Sequence, residues 1–109
     1  MFKRLASTLG GLALALAVSA HAAPAPVILK IGNFTFDPPT LVIPVGTTVT
    51  WVNEDDVPHT AVSDDHKTFR SKPMDTDDRY SFTFVSPGVY PYFCSIHPHM
   101  TAKIIVKAS

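Results

Sequence analysis

The stretch FCSIHPHM, Phe93 to Met100, gathers the only cysteine, two of the five histidines and one of the three methionines of a 109-residue chain. Cys94, His97 and Met100 stand at Cys-x2-His-x2-Met spacing. A thiolate, an imidazole and a thioether together suit a soft metal ion. A loop of this length can wrap three side chains around one ion, so a fourth ligand must come from elsewhere. His59, in DDVPHTAV, is the candidate: it follows a strand-like run and sits behind Pro58, which stiffens the approach. Two histidines and a cysteine in a plane, with a weak axial methionine, make a blue-copper electron-transfer site. Thiolate and thioether favour Cu(I), imidazole suits both oxidation states, and such a compromise geometry changes little when an electron moves. The set His59, Cys94, His97 and Met100 leaves no position open for substrate, so it is expected to carry electrons and not to act as an enzyme.

Zinc competes for cysteine and histidine but prefers a hard or thiolate fourth ligand, so Met100 favours copper. Cys94 as a nucleophile with a histidine base leaves Met100 unexplained and has no evident orienting group or oxyanion hole. Taken singly, Cys94 and Met100 suit core positions and His59 a surface loop; their order and spacing make them one set. The same ligands allow an alternative function, copper storage or delivery. A carrier keeps its ion, whereas a delivery protein surrenders it. A metal-free sandwich used for adhesion is a further alternative.

The elements that must position these residues are strands. All ten prolines lie between Pro24 and Pro98, which leaves little room for a long helix. Val27 to Ile31 is a short β-branched run that Asn33 to Asp37 continues, ended by Pro38-Pro39. Leu41 to Val45 follows, with a turn at Gly46. Thr47 to Asn53 alternates with period two, Val49 and Trp51 on one face. Tyr80 to Val85 alternates again, with Tyr80, Phe82 and Phe84 together. Val89 to Cys94 and Ala102 to Lys107 bracket the cysteine loop directly, and Thr60 to Ser63 and Phe69 to Lys72 are weaker candidates. Seven or eight short strands with turn signals between them predict an all-β sandwich. The polar stretch Asp64 to Asp78 is expected to be irregular or briefly helical.

Residues 1–22 have the three-part layout of a secretory signal peptide: Lys3 and Arg4, an apolar run from Leu5 to Val18, and Ala20-His21-Ala22 as a cleavage site. The run is too short for a convincing membrane span. Cleavage there leaves one small domain, residues 23–109, expected to be periplasmic with no membrane span. Cleavage after Ala20 would instead expose His21 as an N-terminal copper brace, which the A-x-A pattern favours less. Without Lys3 and Arg4, seven basic residues stand against nine acidic ones, a net of −2. No basic patch is visible in the sequence, which argues against nucleic acid as a partner. The acids cluster at Glu54-Asp55-Asp56, Asp64-Asp65 and Asp75 with Asp77-Asp78. They are expected to be solvated loop charge or, alternatively, an acidic docking rim. A single cysteine cannot make an internal disulfide, and a metal would staple a domain this small.

Three segments carry a family resemblance: FTFDPPTLVIPVGTTVTWVNEDDVPHTAV, YSFTFVSPGVYPYFCSIHPHM and the closing AKIIVK. From about Val27 to Lys107 the chain resembles the cupredoxins, the small blue copper proteins, and most closely their amicyanin and plastocyanin-like members. The resemblance implies an eight-stranded Greek-key β-sandwich with one type 1 copper ion near one end. It implies His59, Cys94 and His97 as strong ligands, Met100 as the weak axial one, and His97 as the electron port in an apolar patch with Pro58, Ile96 and Pro98. The implied partners are redox proteins, a periplasmic dehydrogenase as donor and a c-type cytochrome as acceptor, met by a monomer. Two positions depart from the pattern. Thr60 stands where many relatives have asparagine after the first histidine, and should keep the link between the two ligand loops. His99 makes an HPH sequence and is read as an exposed, titratable neighbour of the port.

Overall fold

The computed structural model describes residue 11 and residues 22–108. The signal peptide expected at residues 1–22 lies outside them but for Gly11 and Ala22. Eight strands form: β1 (Val27–Gly32), β2 (Thr35–Asp37), β3 (Thr40–Pro44), β4 (Thr48–Asn53), β5 (Val62–Ser63), β6 (Arg79–Thr83), β7 (Gly88–Phe93) and β8 (Thr101–Lys107). They make two four-stranded sheets, ordered β2-β1-β4-β6 and β3-β8-β7-β5. Every connection from β2 to β7 passes from one sheet to the other. Each sheet therefore holds one parallel pair, β1 with β4 and β3 with β8, inside an otherwise antiparallel frame. This is the all-β sandwich the sequence predicts. Among the described residues no helix is long and apolar enough to cross a membrane.

Period two decides which side chains fill the space between the sheets. On β4, Val49 and Trp51 are fully buried. On β1, Leu29 and Ile31 are buried while Ile28 and Lys30 face out. Trp51 lies at the centre, its ring 5.2 Å from Phe69, 5.6 Å from Tyr92 and 5.7 Å from Tyr80. Such aromatic pairs add directional contact to the burial that drives the fold. Gly46, at φ +91°, makes the tight turn into β4, where Thr47 Oγ1 donates to the Pro44 carbonyl at 2.7 Å.

Two local expectations change, and a third is narrowed to its irregular alternative. The run Val27 to Asp37 is not one extended stretch: it folds back at Asn33 and Phe34, both at positive φ (51° and 57°), to give the β1–β2 hairpin. A two-residue turn with positive φ at both positions matches the twist of the strands it joins, and glycine normally supplies it. Residues 64–78 contain no helix; they are held by isolated bridges, Val62 to Arg70 and His59 to Met74. The weak candidate Thr60 to Ser63 is strand only at Val62 and Ser63, because Thr60 and Ala61 are bonded to Cys94 and Ser71 instead.

Candidate metal centre

Strand register builds the cysteine loop. Phe93 on β7 pairs with Thr101 on β8, so residues 94–100 must turn back within seven residues. The Cys94 amide donates to the Met100 carbonyl at 3.0 Å, and the Met100 amide donates to the His97 carbonyl at 2.8 Å. These two bonds curl the loop and aim its side chains inward. His59 arrives from the other side, past Pro58. Its backbone is pinned to Met74 by His59 N–H to Met74 O (3.2 Å) and Met74 N–H to His59 O (2.8 Å).

The result is a triangle. His59 Nδ1 and His97 Nδ1 are 3.2 Å apart, and each is 3.8 Å from Cys94 Sγ. Cys94 and His59 are fully buried and His97 is half-buried. A first-row ion with bonds of about 2.0 Å to nitrogen and about 2.3 Å to sulfur, at roughly 120°, holds nitrogen and sulfur about 3.8 Å apart. The observed sulfur–nitrogen edges fit that requirement, and the donor set is the one copper takes. Met100 is buried at the end of the loop, its main chain bonded to both Cys94 and His97. His66 and His99 are not part of the cluster; His66 packs on Phe93, and His99 is exposed. The brace residue His21 lies outside the described residues.

The buried sulfur is already prepared as a thiolate. Burial pushes the Cys94 thiol up, but the Thr60 amide (3.4 Å) and the two imidazoles outweigh it and bring the pKa from its ordinary 9.0 to about 6. Thr60 also does what the departure from the family pattern requires. Its hydroxyl accepts the Ser95 amide at 2.7 Å and meets Ser95 Oγ at 2.8 Å, tying the His59 loop to the Cys94 loop.

Two residues that sequence reasoning missed complete the site. Asp55, read as loop charge, lies against His59: its Oδ2 is 2.7 Å from His59 Nε2. The same carboxylate accepts the Asn33 amide at 2.6 Å and the Phe34 amide at 2.9 Å, the two residues of the strained turn. The Phe34 amide is the main cause that holds this carboxyl below the ordinary carboxylate value, helped by His59 and the Asn33 amide against a weaker effect of burial. One side chain thus orients a candidate ligand and fixes a hairpin twenty residues away. Phe34 is carried by that turn over both imidazoles, its ring edge-on at 5.3 Å to His59 and 5.1 Å to His97. Phe34 is exposed, as are the apolar residues Pro58, Ile96 and Pro98 of the two histidine-bearing loops. The spacing Asp55 to His59 was the one available signal, and only for the carboxylate.

An eight-stranded sandwich that brings two imidazole nitrogens and a buried thiolate into one triangle defines a small copper-binding protein. The chain belongs to the cupredoxin-like domain family, whose model matches residues 6–106. It is 31% identical over 93 residues to an amicyanin of Paracoccus denitrificans, across 82% of this chain and 71% of that protein. It is 36% identical over 122 aligned positions to a plastocyanin of a Synechococcus strain, across 94% of this chain and 88% of that protein. Among solved structures it is similar to a purple cupredoxin from Nitrosopumilus maritimus, with a TM-score of 0.69 and 39% identity over 74% of this chain and 99% of that chain. Copper is the cofactor of this family, and His59, Cys94 and His97 lie close enough together to hold a metal ion.

The lowered thiol pKa has a definite sign. A group whose folded pKa is depressed contributes stability above its unfolded value and loses it as pH falls through the folded one, here between about 9 and about 6. The ultraviolet thiolate absorption of the metal-free folded domain should be half lost near pH 6, and that of the denatured chain near 9. A folded midpoint near 9 would mean that the Thr60 amide and the imidazoles do not stabilise the thiolate. For Asp55, replacement by alanine removes the partner that orients His59. Copper affinity measured by competition with a chelator should fall about 10- to 100-fold. An unchanged affinity would show that His59 needs no such support.

Proposed function

We propose that this chain is an exported, periplasmic electron carrier with a type 1 copper site, in which His59, Cys94 and His97 are the equatorial ligands and Met100 is the weak axial one. The observation that carries the proposal is the triangle of His59 Nδ1, His97 Nδ1 and Cys94 Sγ, closed by a buried thiolate and by loops already bonded to each other. When bound, copper supplies the one-electron couple Cu(II)/Cu(I). The protein's residues do the rest. Thr60 holds the thiolate in place, Asp55 fixes the His59 ring, and the Cys94–Met100 bond fixes the loop that carries three of the four ligands. Ligands held by packing and hydrogen bonds cannot relax far between oxidation states, so little reorganisation opposes electron movement. His97, half-buried beside Phe34, Ile96 and Pro98, is the port through which the electron passes.

The four-ligand set leaves no open position for substrate, which supports a carrier and not an enzyme. The signal-like residues 1–22 support export, and the function then needs soluble redox partners: an electron donor such as a dehydrogenase and an acceptor such as a c-type cytochrome. The chain is proposed to act as a monomer.

Adding Cu(II) to the purified domain should produce an intense blue thiolate-to-copper absorption band that Cys94→Ser abolishes. Met100→Gln should keep the colour but lower the reduction potential, because an amide oxygen favours Cu(II) more than a thioether does. Copper bound without colour would point to storage or delivery, and no copper binding would end the carrier reading. A potential unmoved by Met100→Gln would remove Met100 from the ligand set.

A further inference from the structure

The segment that bridges the open side of the sandwich carries a second feature. β6 and β5 are edge strands of their respective sheets, and residues 64–78 run between them. Beside β6 this segment forms a groove of about 480 Å³, lined by Arg70, Lys72, Met74, Asp78, Arg79 and Tyr80. Three of these are exposed cations. Among the described residues the ion pairs within 4.0 Å are Lys30–Glu54 and His59–Asp55, so no carboxylate pairs with Arg70, Lys72 or Arg79. The single acid of the groove, Asp78, accepts the Asp75 amide at 2.9 Å. Tyr80 is fixed by accepting the Arg70 amide at 3.2 Å.

The groove is joined to the metal site. Met74, in its lining, exchanges two main-chain hydrogen bonds with His59 and also accepts Asn53 Nδ2 at 2.8 Å. An occupant of the groove that touches Met74 therefore lies one hydrogen-bonded bridge away from His59. None of the groove's residues belongs to the loop 94–100, so it is separate from the exposed apolar residues near His97. A carrier must meet a donor and an acceptor, and two separately built surfaces let it tell them apart by charge.

We propose that this groove docks the acidic face of a one-electron redox protein, an inference that rests on the carrier reading above. The three unpaired cations supply charge complementarity and faster encounter, and the Met74–His59 bonds supply the contact to the site. One electron moves between the site and the partner's redox centre; no bond or proton changes hands.

The test uses copper-loaded, reduced protein and hexacyanochromate(III), a redox-inert paramagnetic trianion. In heteronuclear NMR it should broaden the amide signals of Arg70, Lys72, Arg79 and Tyr80 before others. The effect should vanish in R70Q/K72Q/R79Q and survive in K30Q/K103Q/K107Q, which has the same net charge. Oxidation by ferricyanide at low salt should slow at least about threefold in the first variant and less in the second. An acidic c-type cytochrome should shift the same amides, and a basic one should not. Broadening confined to residues 95–99 or spread over the surface, or equal effects of both variants, would overturn the proposal. So would a groove that takes the inorganic anion but not the acidic cytochrome, which would make it a small-anion site. Blue colour in both variants keeps a failure here separate from a failure of the copper site; a colourless wild type would sink the carrier reading instead.

Discussion

A thiol with no exposed surface is the constraint on which the rest of this structure depends. Cys94 sits at 0% exposure, and burial alone would keep its proton on. Its sulfur is held as a thiolate only because donors are brought to it from elsewhere in the chain: the Thr60 amide and the two imidazoles. That requirement explains why the His59 loop and the Cys94 loop must be locked together before any metal arrives. Thr60 does the locking with its hydroxyl on Ser95 while its amide serves the sulfur. Asparagine in relatives and threonine here differ in side chain, but the amide that matters belongs to the backbone.

Asp55 extends the same logic outward. A metal-binding histidine needs its second nitrogen held, and a carboxylate does this well. Here the carboxylate is also the anchor of a turn that lacks glycine. Positive φ in an ordinary side-chain residue costs about 1–3 kcal/mol and persists only where its surroundings impose it. Two amides donated to one carboxylate are such an imposition, and the effect is to hold Phe34 edge-on to both imidazoles. The strained hairpin and the oriented ligand thus stand or fall together. This is a reason for Phe34 to occupy a position where glycine would be easier: glycine would relieve the backbone and leave the imidazoles uncovered.

The triangle of His59, Cys94 and His97 was legible because cysteine and histidine are rare in this chain and Cys94 and His97 stand three positions apart. Strand positions were legible where period two was clean, as at Val49 and Trp51 or at Tyr80 and Phe82. The Asn33–Phe34 turn was not, since Asn33 tolerates positive φ but Phe34 does not signal it: the cause is a carboxylate more than twenty positions away. Asp55 was hidden for the complementary reason. Within Glu54-Asp55-Asp56 it looks like any solvated acid, and only the fold brings Asn33, Phe34 and His59 to it. Residues 64–78 suggested irregular backbone correctly, but not the bridge that seats Met74 against His59.

The charge pattern misled in a way that follows from the same chemistry. By count residues 23–109 are acidic, and their acids are adjacent in sequence, so they dominate any linear reading. In the fold several of them serve the backbone. Asp65 accepts the Lys67 and Thr68 amides as well as the Ser63 hydroxyl, Asp78 takes the Asp75 amide, and Asp55 takes two. A carboxylate set among amide donors has its field partly offset by their dipoles. Arg70, Lys72 and Arg79 are scattered among acids in the sequence, so no basic patch is visible there, yet the fold brings them to one groove where, among the described residues, no carboxylate pairs with them. The charge a partner meets at that groove is therefore positive, although residues 23–109 taken together carry more acids than bases. Net charge governs long-range approach, but at contact distances beyond which salt screens the remainder, the local arrangement decides which face is recognised.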